Sequence, residues 1–165
     1  MASLQRRIRR TRKGDFDIRI PDGERDILRG LAEELRELLP TGDPSVGRLF
    51  PPAYSDDPEA NEEYARLMRD DLLAEHTAAI QEFERTIDAR RVTEEELVAW
   101  MGAVNDLRLV LGTRLDVTEE MYEREIDPHA PNAHQLAVYH YLGFLEEQMV
   151  AALSASLDPA GTEGE

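Results

Sequence analysis

The chain has 165 residues, enough for one domain with a real core; it is 33% charged yet 41% hydrophobic, which argues against disorder throughout. It contains no cysteine, which excludes disulfides, thiolate nucleophiles, cysteine zinc sites and thiol redox switches. The net charge is −16, but residues 1–14 hold Arg6, Arg7, Arg9, Arg10, Arg12 and Lys13 and no acid, so only this start can reverse the body's long-range repulsion of phosphate backbones and anionic membranes.

The start, MASLQRRIRR, has charge but no apolar stretch behind it, so it does not read as a secretory signal. No uncharged run approaches the ~18–20 residues that span a bilayer. The expected location is the cytoplasm, with no membrane contact. Ile8, Phe16, Ile18 and Ile20 alternate with charged neighbours about Gly14. This predicts a short β-hairpin over residues 1–20 with its arginines on the wet face.

Pro21-Asp22-Gly23 stops the strand, and Asp22 is a candidate helix cap. Ile27, Leu28, Leu31, Leu35, Leu38 and Leu39 then share one helical face, ended by Pro40-Thr41-Gly42. Asp43-Pro44 opens a short helical turn through Leu49, and LFPPAYSDDPEA follows as a rigid, extended connection. Asp57, as cap, and Pro58 start a long helix with the stripe Ala65, Met68, Leu72, His76, Ala79, Ile80, Phe83 and Ile87, expected to end near Arg90-Arg91.

Thr93 and Glu96 form a capping box for a third long helix. Its apolar residues, Leu97 through Leu111, surround most of its circumference, which predicts a central position, with Gly112 as its stop. Residues 116–132, acidic and with two prolines, read as a loop with room for one helical turn. A last helix from about 134 to 157 buries Val138, Tyr141, Leu142, Leu145, Met149, Ala152 and Leu153. The tail 158–165 reads as disordered. The fold class expected is mainly α, a four- to five-helix bundle with a short N-terminal β-hairpin, in one domain spanning 1–157.

Three polar residues stand out. His76 lies on an apolar stripe, where a histidine serves either proton transfer or, more commonly, a structural hydrogen bond. Arg108 falls on the main apolar face of the third helix with Asn105 three residues before it. There it is either an anion clamp or half of a buried pair with a carboxylate of another helix. Asn105, Arg108 and His76 are thus the candidate buried polar network. His129, His134 and His140 lack the convergence that a metal site needs. No phosphate loop, nucleophile elbow, zinc-protease motif or calcium loop is present. The reading is of no catalytic, cofactor or metal site.

Three stretches together, LFPPAYSDDPEA, NDLRLVLGTRL and YHYLGFLEEQMVAAL, resemble the actinobacterial domain-of-unknown-function family 2017. The resemblance implies an oxidative-stress transcriptional regulator and offers no catalytic residues. It ties that role to a pair of sensing cysteines, which this sequence lacks. The leading expectation is a non-enzymatic regulator working through protein contacts, with a partner in the transcription machinery and weak or indirect contact with DNA. A homodimer is compatible with the sequence. Direct DNA binding through Arg6, Arg7, Arg9, Arg10, Arg12 and Lys13 is the alternative, and an enzyme with a pocket around Arg108 is the third.

Overall fold

A computed structural model describes residues 6–51, 58–116 and 129–155. Most of LFPPAYSDDPEA with the expected Asp57 cap, most of the stretch 116–132 expected to be a loop, and the tail therefore lie outside the described residues. Strands β1 (Ile8–Arg10) and β2 (Phe16–Ile18) form the expected hairpin, with Ile8 opposite Ile18 and Arg10 opposite Phe16. Gly14 takes φ +93° in the turn, a conformation open to glycine at little cost. Thr11 N–H donates to the Asp15 carbonyl at 2.7 Å and closes it.

The hairpin is not alone. A third strand, β3 (Arg91–Val92), pairs antiparallel with β2, so the sheet order is β1-β2-β3. The reason lies at the end of helix α2 (Pro58–Thr86), which stops before Arg90-Arg91 rather than near them. Ala89 N–H turns back onto the Thr86 carbonyl, and Ile18 N–H then takes the Arg90 carbonyl at 2.8 Å. Pairing beside β2 buries the β-branched Val92 to 1% exposure, which continuing the helix would forgo.

Helix α1 (Asp22–Leu38) follows the sheet directly. Asp22 is its first residue and not its cap; Pro21 holds the cap position without a side-chain bond. Leu28, Ala32 and Leu35 are buried along its inner face, whereas Ile27, at the margin of the stripe, stays 44% exposed. A 3₁₀ turn, Leu39–Thr41, ends in Gly42 at φ +74°. A second, Pro44–Leu49, is capped by Asp43, whose carboxylate accepts from Ser45 N–H at 2.8 Å and from its hydroxyl at 2.6 Å.

Helix α3 (Glu94–Leu115) is central, packing against α1, α2, the Pro44–Leu49 turn and the last helix, α4 (Ala133–Ala155). Its capping box is complete: Thr93 Oγ1 accepts from Glu96 N–H, and Glu96 Oε1 accepts from Thr93 N–H at 2.8 Å. Trp100 is fully buried with its ring edge-on to Phe83, and its indole N–H donates to Thr86 Oγ1 at 2.5 Å. Gly112 does not stop this helix, which runs to Leu115 and ends at Asp116 in the left-handed conformation. Gly112 is instead buried beneath the Tyr139 ring of α4, where it permits close approach of the two helices. From α4, Leu142, Leu145, Met149 and Ala152 enter the core, while Val138, Tyr141 and Leu153 pack at its edge. Val98, counted among the apolar residues of α3, is half exposed.

Candidate functional site

The basic start divides into residues held by the fold and residues left to solvent. Arg6, Arg9, Arg12 and Lys13 are exposed. Arg7 is drawn inward: its Nε and Nη2 donate to the two Glu24 oxygens at 3.2 and 3.1 Å, and its main-chain N–H donates to Gln148 Oε1 at 2.9 Å. Glu24 also accepts from Tyr141 Oη at 2.6 Å. Burial pushes the Glu24 carboxyl up, but the bonds from Arg7 and Tyr141 outweigh it and hold the group below its ordinary range. Burial likewise raises Tyr141, and the neighbouring Glu24 adds to it, so its hydroxyl remains a donor. This latch ties β1 to α1 and α4.

Arg10 corrects the expectation that all the arginines face water. Strand alternation puts it on the Ile8 side, half-buried, with its Nε enclosed and without a hydrogen-bond partner among the described residues. The wet face carries a cross-strand row instead: Arg9 opposite Asp17, and Asp17 opposite Arg91. Arg91 Nε donates to Asp17 Oδ1 at 3.0 Å. Arg19, on the same face, bonds through its main chain to the Arg7 carbonyl.

The candidate polar network falls into two separate arrangements. His76 Nδ1 lies 2.6 Å from Asp106 Oδ2, and Nε2 lies 3.0 Å from the Leu49 carbonyl oxygen. The bond to Asp106 is the main cause that raises the His76 pKa, burial opposing it. Two acceptors for two ring nitrogens are satisfied together only by imidazolium, which donates from both. Phe50 stands edge-on to the imidazole, and the Arg69 guanidinium lies over Phe50. Asp106, only 5% exposed, belongs to α3, and no spacing in the sequence links it to His76. His76 comes from α2, on the other side of that helix.

Arg108 Nη1 donates to Glu146 Oε2 on α4 at 3.1 Å, and its guanidinium lies 5.4 Å from the Tyr139 ring centroid. A carboxylate of another helix is the expected partner, but the side chain keeps 32% of its exposure, so it is not the largely buried arginine expected. A shallow groove of about 380 Å³ adjoins it, lined also by Gly143, Glu147 and Val150. Asn105 is half-buried one turn before Arg108.

The most buried arginine among the described residues gave no signal in the sequence. Arg25 is 7% exposed and donates to the carbonyls of Ile18, Ile20, Ile87 and Ala89. Two of these follow the C-terminus of α2, where a cation also meets the negative end of the helix dipole. Its charge thus joins β2, α1 and the α2–β3 turn. It is not among the apolar residues of the α1 stripe, and the carbonyls it serves come together only in the assembled fold.

Among the described residues no group of three or more His, Asp or Glu side chains is placed to hold a metal ion. No helix among them is long and apolar enough to cross a membrane. An open cleft of about 810 Å³ at the end of the sheet is lined by Arg19, Arg25, Arg90 and Arg91 together with Asp17, Asp22 and Asp88. A second, mostly apolar cavity of about 400 Å³ lies between α1 and α3, with Arg114, Glu34 and Gln135 among its polar lining.

Among the described residues, a core of four α-helices fronted by a small cationic sheet defines the class. Residues 5–153 match the model of one family, Domain of unknown function (DUF2017), and the chain belongs to it. It is also similar to proteins named oxidative stress regulator AosR from Mycobacterium bovis and from Mycobacterium tuberculosis strain H37Rv, each 33% identical over 132 residues. The match covers 70% of this chain and 60% of each relative's length. No solved structure matches the chain.

Proposed function

We propose that the chain is a non-enzymatic, cytoplasmic regulator that acts through contacts with another protein, in transcription. The observation carrying this reading is the kinship with relatives named oxidative stress regulators over 70% of the chain. The charge distribution supports contact with protein over contact with DNA, because an acidic body opposes the approach of a long polyanion. With no cysteine, a response to oxidation does not come through a thiol of this chain. A pull-down of the tagged protein from its native extract, with and without nuclease, tests the reading. Retained capture of a component of the transcription machinery after nuclease is the expected result. Loss of every partner on nuclease treatment sinks it.

Direct DNA binding is the second reading, favoured by the exposure of Arg6, Arg9, Arg12 and Lys13. Its test is a gel shift at ~150 mM salt. Sequence-specific binding at nanomolar protein, abolished by changing Arg6, Arg9, Arg12 and Lys13 to Ala, makes it the right one. Weak, salt-sensitive binding to any duplex is the result expected here.

A further inference from the structure

The fold enlarges the basic start with residues that lie far from it in sequence. Strand β3 brings Arg90 and Arg91 beside β2, and the end of the hairpin adds Arg19. Residues 6–19 and 90–91 together hold nine of the chain's 19 bases and two of its 35 acids. Of these cations, Arg7 is committed to Glu24 and Arg91 to Asp17. Arg9, Arg12, Arg19 and Arg90 are exposed and make no ion pair with another described residue.

We infer that the outer face of this sheet, with its flanking cleft, is a docking surface for a short acidic segment of a partner protein. The inference rests on the proposed protein-contact reading and names the chemistry of one contact. Three features select an acidic segment over nucleic acid. Strands of two or three residues at ~3.3 Å per residue and ~4.8 Å apart make a patch only about 10 Å on a side. A duplex carries one charge per ~1.7 Å of axis and extends far beyond such a patch, over a body of opposite preference. A segment of a few Asp or Glu residues ends where the patch ends.

The second feature is the absence of a stacking platform. Phe16, the aromatic residue of the sheet, is 0% exposed and faces the core. Single-stranded nucleic acid binding leans on exposed aromatic rings. The third is donor chemistry: guanidinium forks donate two parallel bonds to a carboxylate, as Arg7 already does to Glu24. The cleft has carboxylates of its own. Asp17 is bonded to Arg91 and Asp88 to Arg29, which leaves Asp22 to oppose Arg19 and Arg90.

The test is fluorescence anisotropy of a labelled four-residue Asp/Glu peptide titrated with the full chain at ~100 mM salt, a Debye length near 10 Å. A 20-base-pair duplex of unrelated sequence competes. Saturable peptide binding, weakened at least about tenfold by Arg19→Glu with Arg90→Glu, is expected. The control Arg48→Glu with Arg66→Glu makes the same change in net charge on other elements and is expected to shift binding less than about twofold. Should the first pair fail to fold by circular dichroism, Arg19→Gln with Arg90→Gln is read instead, with about a threefold loss expected. Equal losses in the two charge-reversal pairs, absence of peptide binding, or displacement of the peptide by substoichiometric duplex each overturns the inference. None of these outcomes touches the nuclease-resistant pull-down, so the two readings fail separately.

Discussion

His76 has an oxygen acceptor at each ring nitrogen, Asp106 on one side and the Leu49 carbonyl on the other. Its pKa is raised, chiefly by the bond to Asp106. The sign for stability follows. Protonated imidazole is favoured more in the folded than in the unfolded chain, whose histidines titrate near 6.5. The stabilisation is therefore fully present below about pH 6.5 and is lost as pH rises through the folded pKa. Asp106→Asn is expected to cost about 1.5–3 kcal/mol at pH 5.5 and distinctly less at pH 9. Urea melts at both pH values check this, and an equal loss at both contradicts a charged pair. Arg25 makes a contrasting case. Its removal strands four carbonyls from two distant parts of the chain, so Arg25→Met is expected to cost more than about 3 kcal/mol. Arg25→Lys recovers little, because one ammonium cannot reach four diverging acceptors. Arg108 is worth less: a pair one-third exposed plus a cation–ring contact sums to about 1–2 kcal/mol for Arg108→Ala, readable by thermal melting.

At the scale of elements, local chemistry and packing decide different things. The Thr93–Glu96 box was legible because both partners lie within one turn and need nothing else. Thr93→Ala is expected to destabilise by about 1 kcal/mol, measured by urea unfolding. Gly112 shows the opposite. Glycine at the end of an apolar run reads as a helix stop, yet it sits inside α3 because the neighbouring ring leaves no room for more. A Cβ there would stand 3.1 Å from Tyr139 Cε2. Gly112→Ala thus trades a gain in helix propensity against displacement of that ring, and a net loss of about 1 kcal/mol is expected. A stabilised variant would show that the ring gives way freely. The end of α2 was misplaced for a related reason. Arg90-Arg91 suit a helix C-terminus electrostatically, but the sheet edge offered by β2 and the carbonyl tie from Arg25 take the chain away at Thr86.

For the whole molecule, the missing thiol is the firmest constraint. Peroxide is expected to leave the migration of the purified chain on non-reducing gels unchanged, and a dithiothreitol-reversible crosslink would contradict this. Methionine is the remaining oxidisable side chain. Met149 is fully buried, whereas Met68 and Met101 are half-buried, so peptide mass spectrometry should find Met149 oxidised last. The half-buried Met68 also marks where the sequence stripe overstated the core. Between Asn61 and Ala79 no described side chain of α2 is fully buried, and its core contribution begins at Ile80.

What the sequence by itself determined was periodic or local. Helical stripes, a turn glycine at Gly14, the cap of Asp43 on Ser45 and the Thr93 box each follow from residues within a few positions of one another. Composition determined the absence of thiol chemistry and the split between a basic start and an acidic body. The tertiary structure decided whatever depends on partners distant in the chain. Asp106 meets His76 across 30 residues, Glu146 meets Arg108 across 38, and Ile87 meets Arg25 across 62. It also decided the third strand, and with it the extension of the cationic face to Arg90 and Arg91. Side-chain periodicity reports which face of an element is apolar. It carries no information on which other element that face meets, and polar groups are satisfied at those meetings.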